Sequence, residues 1–523
     1  MNRKLLAVAL CIAACVIALP FHPAPVSHAQ DDTITIGTTD LPLTLDPAEA
    51  YTYVSWEVLS HIYTGLTRQV PGTTDYELAV AATHTVSEDG LTHTFTIRDD
   101  AVFTDGTPIT ADTFAYSINR VITLDEEANN LLDGVVTSVT VDENGALVFQ
   151  LTRPVPYFLG LVALPPFFPV KASDFPANDL NQFPTTLTGN GVYLLDSWDP
   201  GDSITFKANP NFQYGPVAKT GTIILHRYVS SFELSQALES RAIDLVWRDM
   251  LLPDAIKMTE NNSSLRLENV PSARMWYVYM VRRFDYMDDP IVRESFLLGI
   301  NRDRVTQDYF KGYLTPAYSL VPQLTGDAYD PLWQTTPDIQ QVDRKLRDAG
   351  YREANVSRAQ INIATSQSIY GDYYVDVLNE LAKDFIPVRV IAINQFVGQN
   401  QEQHGVFAEA IQHGDSPVSM FALSPVVVHP DAYLRPLLHS QGMLARGGDF
   451  GSSDMDAFLD KAALETDPAV QADLYRQAQA LIQPENIIAP LWEDTLTVLT
   501  WNDISGIIIE PNFFLHYDLL TRQ

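Results

Sequence analysis

Residues 181–214 constrain the fold of this chain more than any other stretch. A polar loop ends in Gly189-Asn190-Gly191, and a strand-like run follows, Val192-Tyr193-Leu194-Leu195. The turn Asp199-Pro200-Gly201-Asp202 leads into a second run, Ile204-Thr205-Phe206, which Asn209-Pro210-Asn211 stops. Apolar and aromatic runs bounded by Gly, Pro, Asn and Asp read as strands joined by turns.

The same punctuation organises the rest. Thr33-Ile34-Thr35-Ile36 alternates as a first strand, and the apolar spacing over 54–66 predicts a helix with Gly65 near its end. From 67 to 187 the texture is short strands and turns, with a strand at 93–97, a short helix over 110–121 and a hairpin around Asn144-Gly145. This region reads as a separate, mostly β unit. Strands return at 221–225 and 360–364. Helices are predicted over 232–238, 455–464 and 468–482, and another begins at Asp289-Pro290; there, as at Asp467-Pro468 before the last, Asp caps and Pro takes the first turn. The mixture over 284–490 is that of an α/β domain.

A chain of 523 residues holds two or three domains, and 46% hydrophobic with 19% charged residues is globular composition. The start is a secretory signal, residues 1–29: basic Arg3-Lys4, an apolar run over 5–19, and the small-x-small site Ser27-His28-Ala29. Both cysteines, Cys11 and Cys15, lie within it, so the mature chain has no thiol for disulfides or thiolate metal sites. Ile12-Ala13-Ala14-Cys15 also matches the pattern for lipid attachment, which makes Cys15 the candidate anchor; the alternative is that it is one more apolar residue of the signal. Without the signal, 31 basic face 65 acidic residues. That balance argues against nucleic acid and anionic lipid as partners.

No H-E-x-x-H, G-x-S-x-G, phosphate-loop or dinucleotide pattern is present. Acidic pairs such as Glu88-Asp89 and Asp99-Asp100 sit beside turn residues, as solvated turns do. His404 and His413, and His429 and His439, have no zinc spacing. No catalytic residue, metal or cofactor is expected. Aromatics beside polar loops are the better signal, because flat rings supply contact area and their polar tips orient a ligand. Tyr51, Tyr53, Trp247-Arg248, Trp276-Tyr277 and Trp492-Glu493 are of this kind. Taken singly, each also suits core packing.

Collinear landmarks run over nearly the whole mature chain: Leu45-Asp46-Pro47, Ser55 through Leu66, Ser87 through Arg98, Phe103 through Ala111, Pro154 through Phe158, the opening stretch, Asp289 through Arg293, Gly299 through Asp303 and Leu346 through Tyr351. In these the chain resembles the family 5 solute-binding proteins of ABC importers, the oligopeptide, dipeptide and nickel group. The resemblance implies an α/β, two-lobed periplasmic-binding-protein fold (Venus-flytrap, class II-like, cluster C) with an inserted β-rich domain. Lobe I would comprise 31–66, 188–283 and 491–523, the insert 67–187, and lobe II 284–490. It implies a monomeric receptor, exported to the periplasm or the outer face of the cytoplasmic membrane. Such a receptor captures a peptide or similar small polar solute between its lobes and hands it to the permease subunits; membrane contact is through these or a lipid anchor. The ligand residues it implies are Tyr51, Tyr53, Trp247, Arg248, Trp276, Tyr277, Phe396, Ser424, Trp492 and Glu493.

One departure matters. Where the family pattern Gly-Trp-x-x-Asp-Tyr-x-x-Pro places an Asp on the ligand's amino terminus, this chain reads Ala422-Leu423-Ser424-Pro425-Val426, with Val426 in the Asp position. A buried ammonium with no partner charge costs several kcal/mol. Glu493 or Asp494 could substitute, or the ligand could be a glycoside, an opine or a metal chelate. A ligand-presenting sensor is a further alternative, and an extracellular hydrolase is disfavoured by the missing nucleophile–base motif.

Overall fold

Two long antiparallel strands, Leu265–Met280 and Ile488–Trp501, form the spine of the computed structural model. The structure describes residues 33–523 except 249, 251, 285–286, 336–337, 352–359, 366–388, 394–411, 416 and 445–450. The signal segment, Cys15, His404 and Phe396 lie outside the described residues.

The long strands bind different neighbours at their two ends. Over Leu265–Pro271 the partner is Trp501–Thr495, and on its other side Leu245–Trp247 continues the sheet through Thr33–Thr38, Thr222–Arg227, Ser203–Ala208 and Tyr193–Asp199. Over Met275–Tyr279 the partner is Glu493–Ile488, and here Val418–Leu423, Gln360–Thr365 and Arg389–Ile393 extend the sheet in the other direction. Each end thus carries its own α/β layer, and the two strands cross between them. Pairing breaks between Pro271 and Met275. A break of this kind bends the strand and re-aims its side chains. The Ala273 N–H turns instead to the Pro511 carbonyl at 2.8 Å.

Apolar side chains segregate accordingly. One buried cluster runs from Ile34 through the β-rich segment, where Phe95, Phe149 and Phe158 interlock, to Leu520. A second gathers Met275–Val281, Phe296, Tyr433, Leu459, Tyr475 and Trp492. Within 67–187 a four-stranded antiparallel sheet holds Ala81–Val86, Thr92–Ile97, Leu147–Leu151 and Val136–Val141, against which the helix Ala111–Leu124 packs.

Local chemistry accounts for the element ends. Gly145 at φ 80° and Gly201 at φ 91° take the left-handed conformation that closes their hairpins. The Asp289 and Asp467 side chains accept from the first N–H groups of helices Pro290–Gly299 and Pro468–Ile482. The first helix is Tyr53–Ile62, shorter than the 54–66 read from apolar spacing. Its extension is intercepted by the Gly-Asn-Gly loop: Gly191 N–H donates to the Ile62 carbonyl, while the Asn190 amide binds both Thr64 N–H and Thr64 carbonyl. A Cβ on Gly191 would stand 2.4 Å from the His61 carbonyl, which is why a glycine occupies the position.

A ligand cleft between the lobes

The crossing strands floor a cavity of about 780 Å³. One wall comes from the start of the first helix, Tyr51 to Trp56, and from Trp247-Arg248 at the end of a strand. The far wall carries Phe310, Leu314, Ser424 and Val426, and the floor carries Arg274 and Asp494 through Thr497.

The rings are fixed by their neighbours. Tyr51 sits edge-on to Trp56 at 5.4 Å, and burial raises the pKa of its phenol. Tyr53 packs against Phe513 at 4.8 Å, and its hydroxyl reaches across to donate to the Ser424 carbonyl at 3.0 Å. Trp247 is buried and donates its indole N–H to Glu57 Oε2 at 2.9 Å. Arg248, held at φ 67°, donates from Nη2 to the same Glu57 oxygen at 2.9 Å and to the Phe513 carbonyl at 2.8 Å. Glu57 also accepts from Leu515 N–H at 2.8 Å and from the Tyr517 hydroxyl. This fully buried carboxylate therefore positions two residues of the cavity wall from behind.

Tyr51, Tyr53, Trp247, Arg248 and Ser424 thus meet around one cavity. Four other residues read from the sequence line no part of that wall. Tyr277 is fully buried in the second apolar cluster and donates to the Leu320 carbonyl at 2.8 Å. Trp276 and Trp492 lie buried 6.5 Å apart beneath the floor, with the Trp276 indole N–H donating to Asp494 Oδ2 at 3.2 Å. Glu493 turns away and accepts from Gln323 N–H at 3.2 Å; burial raises its carboxyl to about 7.

The boundary falls between neighbours on the strand: Asp494 through Thr497 line the cavity, whereas Glu493 pairs with Met275 and Thr315 beyond its edge. Arg274 and Phe513 are wall residues that the sequence reading missed. A lone charge beside the apolar run 275–281 was the available signal for Arg274; Phe513, at φ 77° in a loop, offered none. Among the described residues no group of three His, Cys, Asp or Glu side chains could hold a metal ion, and no helix is long and apolar enough to cross a membrane.

Comparison with known proteins completes the picture. The family model described as bacterial extracellular solute-binding proteins, family 5 (middle), matches residues 75–445. The glutathione-binding protein GsiB of Salmonella typhi is 25% identical over 520 residues, covering 97% of each chain. The dipeptide-binding protein DppE of Bacillus subtilis is 22% identical over 510 residues, covering 92% of this chain and 90% of its own. Among solved structures, the unliganded open form of the periplasmic murein tripeptide binding protein MppA superimposes with a TM-score of 0.79 at 20% identity, covering 94% of this chain and 98% of its own. The DppA protein of Helicobacter pylori in complex with the peptide STSA gives 0.71 at 18%, covering 94% and 98%. The two-lobed fold and the match over most of its length agree: the chain belongs to the bacterial extracellular solute-binding proteins of family 5.

Proposed function

We propose that the protein is the solute-capturing receptor of an ABC importer, taking a peptide or similar small polar solute between its lobes and presenting it to the membrane permease. The observation that carries this reading is the aromatic-walled cavity at the crossing of the two long strands. Such a cavity excludes water on closing and strengthens the polar contacts within it. Ligand that touches both lobes favours the closed form, and the permease distinguishes that form. The relatives named for glutathione and dipeptides, and the structures holding peptides, favour small peptides.

In this reading lobe I comprises 31–66, 188–283 and 491–523, the insert 67–187, and lobe II 284–490; the separate apolar clusters support two lobes, with the insert packed on the first and the crossing-strand residues 275–281 and 491–492 packed in the second. The protein acts as a monomer and performs no chemistry on its ligand. It is exported by its signal, with Cys15 as the anchoring residue if lipid is attached.

The test combines capture of the permease subunits by the exported protein, uptake by a strain lacking it, and calorimetry against a solute panel. Normal uptake of every candidate solute in the deletion strain would refute transport.

A second reading, a non-peptide solute, is favoured by Val426, whose apolar side chain lines the cavity where the family pattern has an acid. Val426→Asp separates the two. A large gain in tripeptide affinity opposes the non-peptide ligand, and an unchanged profile supports it.

A further inference from the structure

Among the described residues two guanidinium groups line the cavity, and they are differently occupied. Arg248 is committed to Glu57 and to the Phe513 carbonyl. Arg274 lies in the register break of a crossing strand, with its plane over the Phe513 ring at 4.5 Å. Its guanidinium makes no hydrogen bond to any described residue. Among the described residues its ion pair is with Asp494 Oδ2, loose at 3.6 Å, and about a quarter of the side chain remains exposed. A guanidinium stacked on a ring is held in orientation while its N–H edge stays available, and that edge matches a carboxylate bidentately. Asp494, beside it, is an acceptor on the same floor. It repels a lone anion on that floor and favours one that carries an N–H donor beside its carboxylate. The opposite wall offers Val426, and hence no acid for an ammonium at that position.

Resting on the receptor reading above, we propose that Arg274 is the specificity-determining residue of the cavity. Its ligands are small solutes with a free carboxylate and an N–H donor one or two bonds away, as at the carboxyl end of a short peptide. The carboxylate docks on Arg274 and the neighbouring N–H donates to Asp494. The receptor therefore holds its ligand by the acid end rather than the amine end.

The test is calorimetry of the full exported protein with trialanine, Met-Leu and glutathione, and with trialanine and Met-Leu blocked either as C-terminal amides or by N-acetylation. Amidation is expected to weaken binding roughly 10- to 100-fold, the range of one charge-assisted hydrogen-bonded contact, whereas N-acetylation leaves it within about threefold. Arg274→Gln should weaken the free acids by the same factor and leave the amides unaffected, and Arg274→Lys should restore part of the loss. Because Arg274→Gln removes the ion pair with Asp494, Arg274→Gln/Asp494→Asn is measured beside it, with circular dichroism to establish folding. Binding that survives amidation but not N-acetylation overturns the proposal, as does equal affinity of wild type and the Gln variants for the free acids. If no probe binds while the protein still captures its permease, this proposal fails and the receptor reading stands. If neither occurs, both fail.

Discussion

Buried without solvent contact, the Glu57 carboxylate accepts from the Trp247 indole, the Arg248 guanidinium, the Leu515 N–H and the Tyr517 hydroxyl, so its negative charge is matched and its lone pairs are occupied. Removing one partner of a buried pair leaves the other charge uncompensated, at about 3–5 kcal/mol. Glu57→Ala should lose about that much in urea unfolding and also weaken ligand binding, because Trp247 and Arg248 lose the group that aims them; a variant as stable as wild type would contradict the role. Glu493 is the converse case, a buried carboxyl that among the described residues accepts from Gln323 N–H and pairs with no cation. Burial lifts it to about 7, above its ordinary 4.5. The folded state then keeps a proton that the unfolded chain releases, so this residue's contribution is full below about pH 4.5 and falls away as pH rises through about 7. The loss is on the order of 3 kcal/mol. Glu493→Gln should lack that slope: the stability difference between variant and wild type should grow in favour of the variant from pH 5 to pH 8. Parallel profiles would show that Glu493 does not titrate in that window.

At the scale of elements, the Gly-Asn-Gly loop fixes where the first helix ends. Asn190 and Gly191 capture the backbone at Ile62 and Thr64, more than a hundred residues earlier in sequence. The Gly191 backbone lies so close that an alanine methyl would collide with the His61 and Ile62 main chain rather than with a side chain able to move. Gly191→Ala should cost on the order of 3 kcal/mol or more, seen as a lowered melting temperature with a shifted Tyr53–Ile62 segment. If the variant melts with wild type, the close approach carries no stability. This loop also marks the limit of what could be read from the chain. Hairpins around Asn144-Gly145 and Pro200-Gly201, and the Asp-Pro helix starts, were legible because their causes lie within a few residues. The end of the first helix was not, because its partner is remote. Nor was the choice between Glu493 and Asp494, which depends on where along the crossing strand the cavity begins. Arg274 was hidden for a related reason: it sits at a register break, where simple alternation no longer tells which way a side chain points.

For the whole molecule, ligand capture requires two lobes that separate readily. Three of the polar contacts across the cleft suit this. Tyr53 donates to the Ser424 carbonyl, Asn512 donates to the Val426 carbonyl at 3.2 Å, and Arg153 of the β-rich segment stands 3.7 Å from Asp431. Asp431 is bound more closely by Arg435 on its own helix, so parting from Arg153 does not strand it. With Arg153 partly exposed and the buried Asp431 held by Arg435, a pair of this length is worth about 0–1 kcal/mol, small for stability but comparable with a balance between open and closed forms. Arg153 is also absent from the cavity wall, so an effect of Arg153→Ala on affinity is not a lost ligand contact. We expect that variant to melt within about 2 °C of wild type without ligand. It should bind a given solute roughly 2- to 5-fold more weakly, because the fraction in the competent form falls. Small-angle scattering should then show a smaller contraction at the same solute concentration. The contraction should recover fully when solute is raised in proportion to the affinity loss, since the closed form itself is intact. An unchanged affinity would mean that the Arg153–Asp431 contact plays no part in closing, whereas a lost contraction at saturation would mean that it shapes the closed form rather than its population.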